Sequence, residues 1–124
     1  MDEQVAARFE EVSALARQVV ARLHQEIETL GFDPRLVQLQ EIAAASYTLQ
    51  TDPADGGQSL VGEWRDGYGI KVGELKFHAD GSFFVEQDVV RPHPKRSGWF
   101  VEAVNAWGRG SQIRAEARLL RMPG

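Results

Sequence analysis

Ile70-Lys-Val-Gly-Glu-Leu-Lys-Phe-His-Ala-Asp-Gly-Ser-Phe-Phe-Val-Glu-Gln-Asp-Val-Val90 carries two alternating apolar runs around one turn signal. Alternation with a period of two marks a half-buried strand. His78-Ala79-Asp80-Gly81-Ser82, between the runs, suits a three-residue hairpin loop with Gly81 left-handed. That register sets Phe77 opposite Phe83 and Leu75 opposite Val85, which makes one apolar face. A two-residue loop would set Glu86 opposite Leu75, so burial selects the longer loop. Ile70 and Val72 have the opposite parity to Leu75 and Phe77. A β-bulge at Gly73 would return all four to one side.

Upstream, the period of two continues. Leu60, Gly62 and Trp64 alternate with Val61, Glu63 and Arg65, and Tyr47, Leu49 and Thr51 alternate with Ser46, Thr48 and Gln50. Asp52-Pro-Ala-Asp-Gly-Gly57 and Asp66-Gly-Tyr-Gly69 are turn clusters between strands. Before Ala45 the period changes. Val5, Phe9, Val12, Ala16, Val19, Leu23, Ile27 and Leu30 are spaced by three or four, one stripe of an α-helix from Asp2 to Leu30. Asp2 and Glu3 suit its positive N-terminal end and Gly31 its C-terminal cap. At 1.5 Å per residue the helix is about 40 Å long, against a diameter of about 35 Å for a domain of this size, so one end is expected to overhang or to pack on another subunit. Asp33-Pro34 has the pattern of a second helix start, with Leu36, Leu39, Ile42 and Ala43 on one face, although Val37 and Leu39 also fit an alternation.

Downstream, Arg91-Pro-His-Pro-Lys-Arg-Ser-Gly98 holds two prolines and reads as an exposed basic loop. Trp99 to Trp107 reads as a strand, Gly108-Arg-Gly110 as a turn, and Ser111 to Met122 as a last strand. Ala, Glu, Arg and Leu in that last run also favour helix. The glycine-centred turn between two alternating runs favours strand. The expectation is one α+β domain over 1–124: a long N-terminal helix and a short second helix packed on a curved, mostly antiparallel sheet of five or six strands.

The 124 residues suit one core, with 43% hydrophobic and 26% charged residues. The absence of cysteine excludes disulfides, thiolate metal sites and cysteine nucleophiles. No apolar run approaches the roughly 18 residues of a membrane span, and no leader-like segment opens the chain, so a cytoplasmic location is expected. The net charge of −4 hides an asymmetry. Residues 1–62 carry four Arg and no Lys against ten acids, a net of −6, and residues 63–124 carry ten bases against eight acids, a net of +2. From Val89 onward, seven bases face two acids, a net of +5. Such a split fits an anionic partner, or two regions that complement each other within a fold or between subunits.

Most catalytic patterns fail. His24, His78 and His93 are far apart and lack a metal-ligand spacing, so neither metal nor cofactor is expected. GxxxxGK[ST] is absent, and the Gly-x-Gly pairs at 67–69 and 108–110 lack the third glycine and following helix of a dinucleotide site. Gly57-Gln-Ser59 is not a nucleophile elbow, because Val61 stands where glycine is required. His78 and Asp80 could orient a general base, but Asp before Gly at a loop tip is first of all turn chemistry. Glu74 and Glu86 oppose each other in the hairpin register, where close carboxylates could raise a pKa.

Two groupings can bind. His93, Lys95, Arg96, Trp99, Trp107, Arg109, Arg114 and Arg118 combine bases with aromatic rings, as on sheets that bind anions or single-stranded nucleic acid. The acidic total and the missing RNP pattern count against nucleic acid. If the last hairpin closes through Arg109-Gly110, Trp99 and Trp107 share a face with Arg114 and Arg118; if it closes through Gly108-Arg109-Gly110, both tryptophans join the apolar face. The second grouping is Tyr47, Trp64, Phe77 and Phe83 with His78, which could line a pocket between helix and sheet or fill an ordinary core. A helix against a curved antiparallel sheet resembles the architecture of cystatin-like and NTF2-like proteins, which implies such a pocket and no particular activity. The expected function is a small, non-catalytic binding domain acting as a homodimer, with an unidentified protein or anionic partner. The alternatives are a pocket protein or enzyme, and a weak anion or single-strand binder.

Overall fold

The computed structural model describes residues 1–123. Helix α1 (Glu3–Leu30) opens with the Asp2 carboxylate accepting from the Val5 N–H at 2.8 Å. It ends at Gly31, left-handed at φ 101°, where the Phe32 N–H reaches back to the Ile27 carbonyl. The stripe is buried from Val5 to Ile27, with Phe9 half-buried. The helix therefore lies on the sheet along nearly its full length, and the expected overhang does not occur.

The second helix is replaced. Asp33 to Val37 makes a single turn, with the Leu36 and Val37 N–H groups donating to the Asp33 carbonyl. The chain then runs extended to a 3-10 turn at Ile42–Ala44. Two forces oppose an α-helix here. Val37 and Leu39 are both buried, which needs a spacing of two. Gln87, only 2% exposed, clasps the segment: its Oε1 accepts from the Gln40 N–H at 2.6 Å and its Nε2 donates to the Gln40 carbonyl at 3.0 Å. The side chain acts as a substitute strand neighbour.

Six strands follow as an antiparallel meander: β1 (Ser46–Thr51), β2 (Gln58–Arg65), β3 (Lys71–Phe77), β4 (Ser82–Pro92), β5 (Trp99–Arg109) and β6 (Gln112–Arg121), in spatial order β1-β2-β3-β4-β5-β6. The central hairpin has the expected register, Phe77 with Phe83 and Leu75 with Val85, and Gly81 is left-handed at φ 90°. The bulge on β3 falls at Val72 rather than Gly73, opposite the Trp64–Arg65 step. Val72 packs on the core, but Ile70 is 62% exposed and does not return to it. The 111–122 run is a strand, because β5 supplies a ladder partner for it.

One face of the sheet meets α1. Three of its aromatic residues stand across from a glycine on the next strand: Tyr47 from Gly62, Trp64 from Gly73, and Phe83 from Gly108. A Cβ on Gly62 would lie 2.7 Å from the Tyr47 ring, on Gly73 2.9 Å from the Trp64 ring, and on Gly108 3.1 Å from the Phe83 ring. The glycines are the floor on which the rings lie. Trp64 is 1% exposed, and its indole N–H donates to the Glu41 carbonyl at 2.8 Å. The Phe9 ring of α1 meets the Tyr47 ring with centroids 5.0 Å apart.

Candidate interaction surface

The other face of the sheet carries no helix. Register places Thr48, Val61, Lys76, Phe84, Trp107 and Arg114 in one row across all six strands. Two residues along each strand lies a second row: Ser46, Glu63, Glu74, Glu86, Asn105 and Glu116. The first row is apolar and basic, the second acidic. Val61 sinks between its neighbours, whereas Phe84 and Trp107 are half-buried.

Most acids of the second row are matched locally. Arg65 pairs with Glu63 at 2.8 Å, Lys71 with Glu74 at 2.6 Å, and Arg118 with Glu86. The Glu74 carboxylate holds the Lys71 ammonium above the usual lysine range. Glu74 and Glu86 do stand opposite each other, but each has its own cation, so they form no acid pair of catalytic type. Burial, reinforced by Glu102, pushes the Asp88 carboxyl up, with Arg118 partly opposing. Among the described residues, Lys76, Arg114 and Glu116 have no ion-pair partner.

The basic grouping divides into two. Trp107, Arg109 and Arg114 border a groove of about 410 Å³ with Gln112 and Ser82. His93, Lys95, Arg96 and Trp99 lie at the far end of β5, roughly 25 Å away along the strand. There the Arg96 guanidinium lies 4.7 Å from the centre of the Trp99 ring, and the His93 Nδ1 accepts from the Lys95 and Arg96 N–H groups. Arg118 belongs to the ion pairs between the two ends. The last hairpin turns through Gly110-Ser111, since Arg109 pairs with Gln112. That register puts Trp107 across from Arg114, on the shared face that the first closure implies but with the turn one residue later. A register shift at Glu102 then reverses parity, so Trp99 shares the parity of buried Val101 while Trp107 faces outward. The two tryptophans stand on opposite faces, an outcome outside both closures.

Trp64, Phe77 and Phe83 fill the core under α1, with the two Phe rings stacked at 5.9 Å. His78 stands apart from them, at the end of the sheet. Its Nδ1 meets Ser59 Oγ at 2.8 Å, in a pocket of about 200 Å³ with Asp52, Asp55 and Asp80. Ser59 and His78 are 19 residues apart in the chain, and no motif joins them. Extending the Leu60–Phe77 register by one residue on each strand would have found the pair. The carboxylates around it serve turns: Asp52 accepts from the Ala54 N–H, Asp55 from the Gly57 N–H, and Asp80 from Ser82. Ser82 holds the Asp80 carboxyl below its ordinary value, and Arg109 adds to the effect. Asp80 thus acts as a turn anion, matching the turn chemistry of its sequence.

No family model matches the chain, no curated protein matches it significantly, and no solved structure matches it significantly. No helix among the described residues is long and apolar enough to cross a membrane.

Proposed function

We propose that the chain is a small, non-catalytic interaction module that works as a homodimer in the cytoplasm, through the uncovered face of its sheet. The observation that carries this reading is the Phe84–Trp107 pair, half-buried on a face that no other element packs against. A second observation agrees. Every ion pair among the described residues lies within 1–62 or within 63–124, and none joins the two. The charge asymmetry is thus left without ion pairing between the two regions. Sedimentation equilibrium across the micromolar range tests the reading, with reversible dimerisation as the expected result. A strict monomer at high micromolar concentration would sink the homodimer.

The groove beside Trp107 favours a second reading, a weak site for an anion or a single strand, with Arg114 across from the ring. It requires oligonucleotide to quench tryptophan fluorescence at low salt, and added salt to reverse the quenching. No quenching at low salt would remove it.

A further inference from the structure

We infer that two copies of this chain pack face to face through the uncovered sheet surface, about a two-fold axis that crosses the strands between Arg114 and Glu116. This inference rests on the homodimer reading above and names the axis and the contacts by which the two faces meet. In a two-fold interface each patch must complement itself. The two rows meet that condition, because acid and base stand two residues apart on the same strand: Glu74 and Lys76 on β3, Glu116 and Arg114 on β6. Such residues share a face about 7 Å apart. A two-fold axis midway between the rows sets Arg114 of one copy over Glu116 of the other, and Lys76 over Glu74. Arg114, Lys76 and Glu116, which lack ion-pair partners among the described residues, all gain one.

The main competing arrangement is worse. An axis parallel to the strands would lay each row on itself, with Glu74 over Glu86, and like charges in contact oppose docking. The chosen axis also covers Phe84 and Trp107, laying Phe84 over Glu86 and Trp107 over Asn105 of the other copy, and puts the Arg114–Glu116 pairs at the rim on edge strand β6. Six strands at about 4.8 Å and about 20 Å of their length give roughly 600 Å² per copy. Two such faces lie near the lower limit of stable interfaces, roughly 1,200 Å² in total, which suits a reversible micromolar dimer.

A charge exchange tests the arrangement. Arg114 and Glu116 are exposed on β6, so R114E and E116R should both fold, as far-ultraviolet circular dichroism and urea midpoints would verify. Alone, each variant places like charges together across the axis, and its dimer dissociation constant should rise at least about tenfold. Mixed in equal amounts, the two should form a heterodimer of near wild-type affinity, and R114E/E116R should dimerise alone. A folding defect cannot be repaired by mixing. If the wild type dimerises but the single variants do so equally well, or mixing restores nothing, this packing is wrong and the homodimer stands. If the wild type never dimerises, both fall.

Discussion

Gly108 shows how much of the core rests on a missing side chain. A Cβ there would come 1.8 Å from the Gln112 carbonyl oxygen, a backbone atom that cannot move aside without opening the β5–β6 hairpin. G108A is therefore expected to destabilise the fold by about 2 kcal/mol or more, at the upper end of overpacking costs. Gly67 has open space around it, so G67A should be nearly neutral. Urea unfolding of the two variants checks the contrast, and equal midpoints would refute it. In the sequence Gly62 is one position of an alternating strand, Gly73 a candidate bulge and Gly108 part of a turn. Their partners Tyr47, Trp64 and Phe83 become visible only once the register is known. Gln87 is similar, a polar residue in a strand whose two hydrogen bonds reach a segment 47 residues away. Q87A would leave the Gln40 N–H and carbonyl without that clasp and should cost about 1–3 kcal/mol. Faster hydrogen exchange confined to residues 38–41 would locate the loss there.

At the scale of elements, strength of local pattern separates what was legible from what was not. The α1 stripe and both its ends read directly, because capping and a period of 3.6 are properties of adjacent residues. The 33–44 segment did not, because its form depends on Gln87 and on burial under Trp64, whose indole holds the Glu41 carbonyl. β1 is tied to the same segment by Tyr47, whose hydroxyl donates to the Ile42 carbonyl at 2.5 Å. Burial pushes the Tyr47 hydroxyl up to about 12 from its ordinary 10.0. A raised value favours the neutral phenol in the folded state. That contribution is complete below pH 10.0 and is lost as the pH rises from there towards about 12. Stability should accordingly fall over this alkaline interval, and Y47F should fall less steeply. Parallel pH profiles for the two proteins would show that Tyr47 is not the cause.

Across the whole molecule, charge and shape have separate roles. The ion pairs are local and mostly half-exposed, so each contributes at most about 1 kcal/mol and is readily screened. Molar salt should leave the unfolding free energy within about 1 kcal/mol of its low-salt value while weakening the dimer, because charge pairs across the proposed interface steer association. A large salt effect on folding measured at monomeric concentrations would contradict this division. The helix, the order of turns, the central hairpin register and the alternation of β1 and β2 were determined by the sequence itself, since each depends on residues adjacent in the chain or joined by a short loop. The candidate surface was legible only as an inventory. Its bases and tryptophans could be named, but not their directions, because a one-residue register shift at Glu102 reverses the face of everything beyond it. Only the tertiary structure decided that Trp99 and Trp107 point apart, that Ser59 meets His78, and that acid and base form adjacent rows. Each of these is a relation between strands, and strand pairing fixes it through contacts distant in sequence.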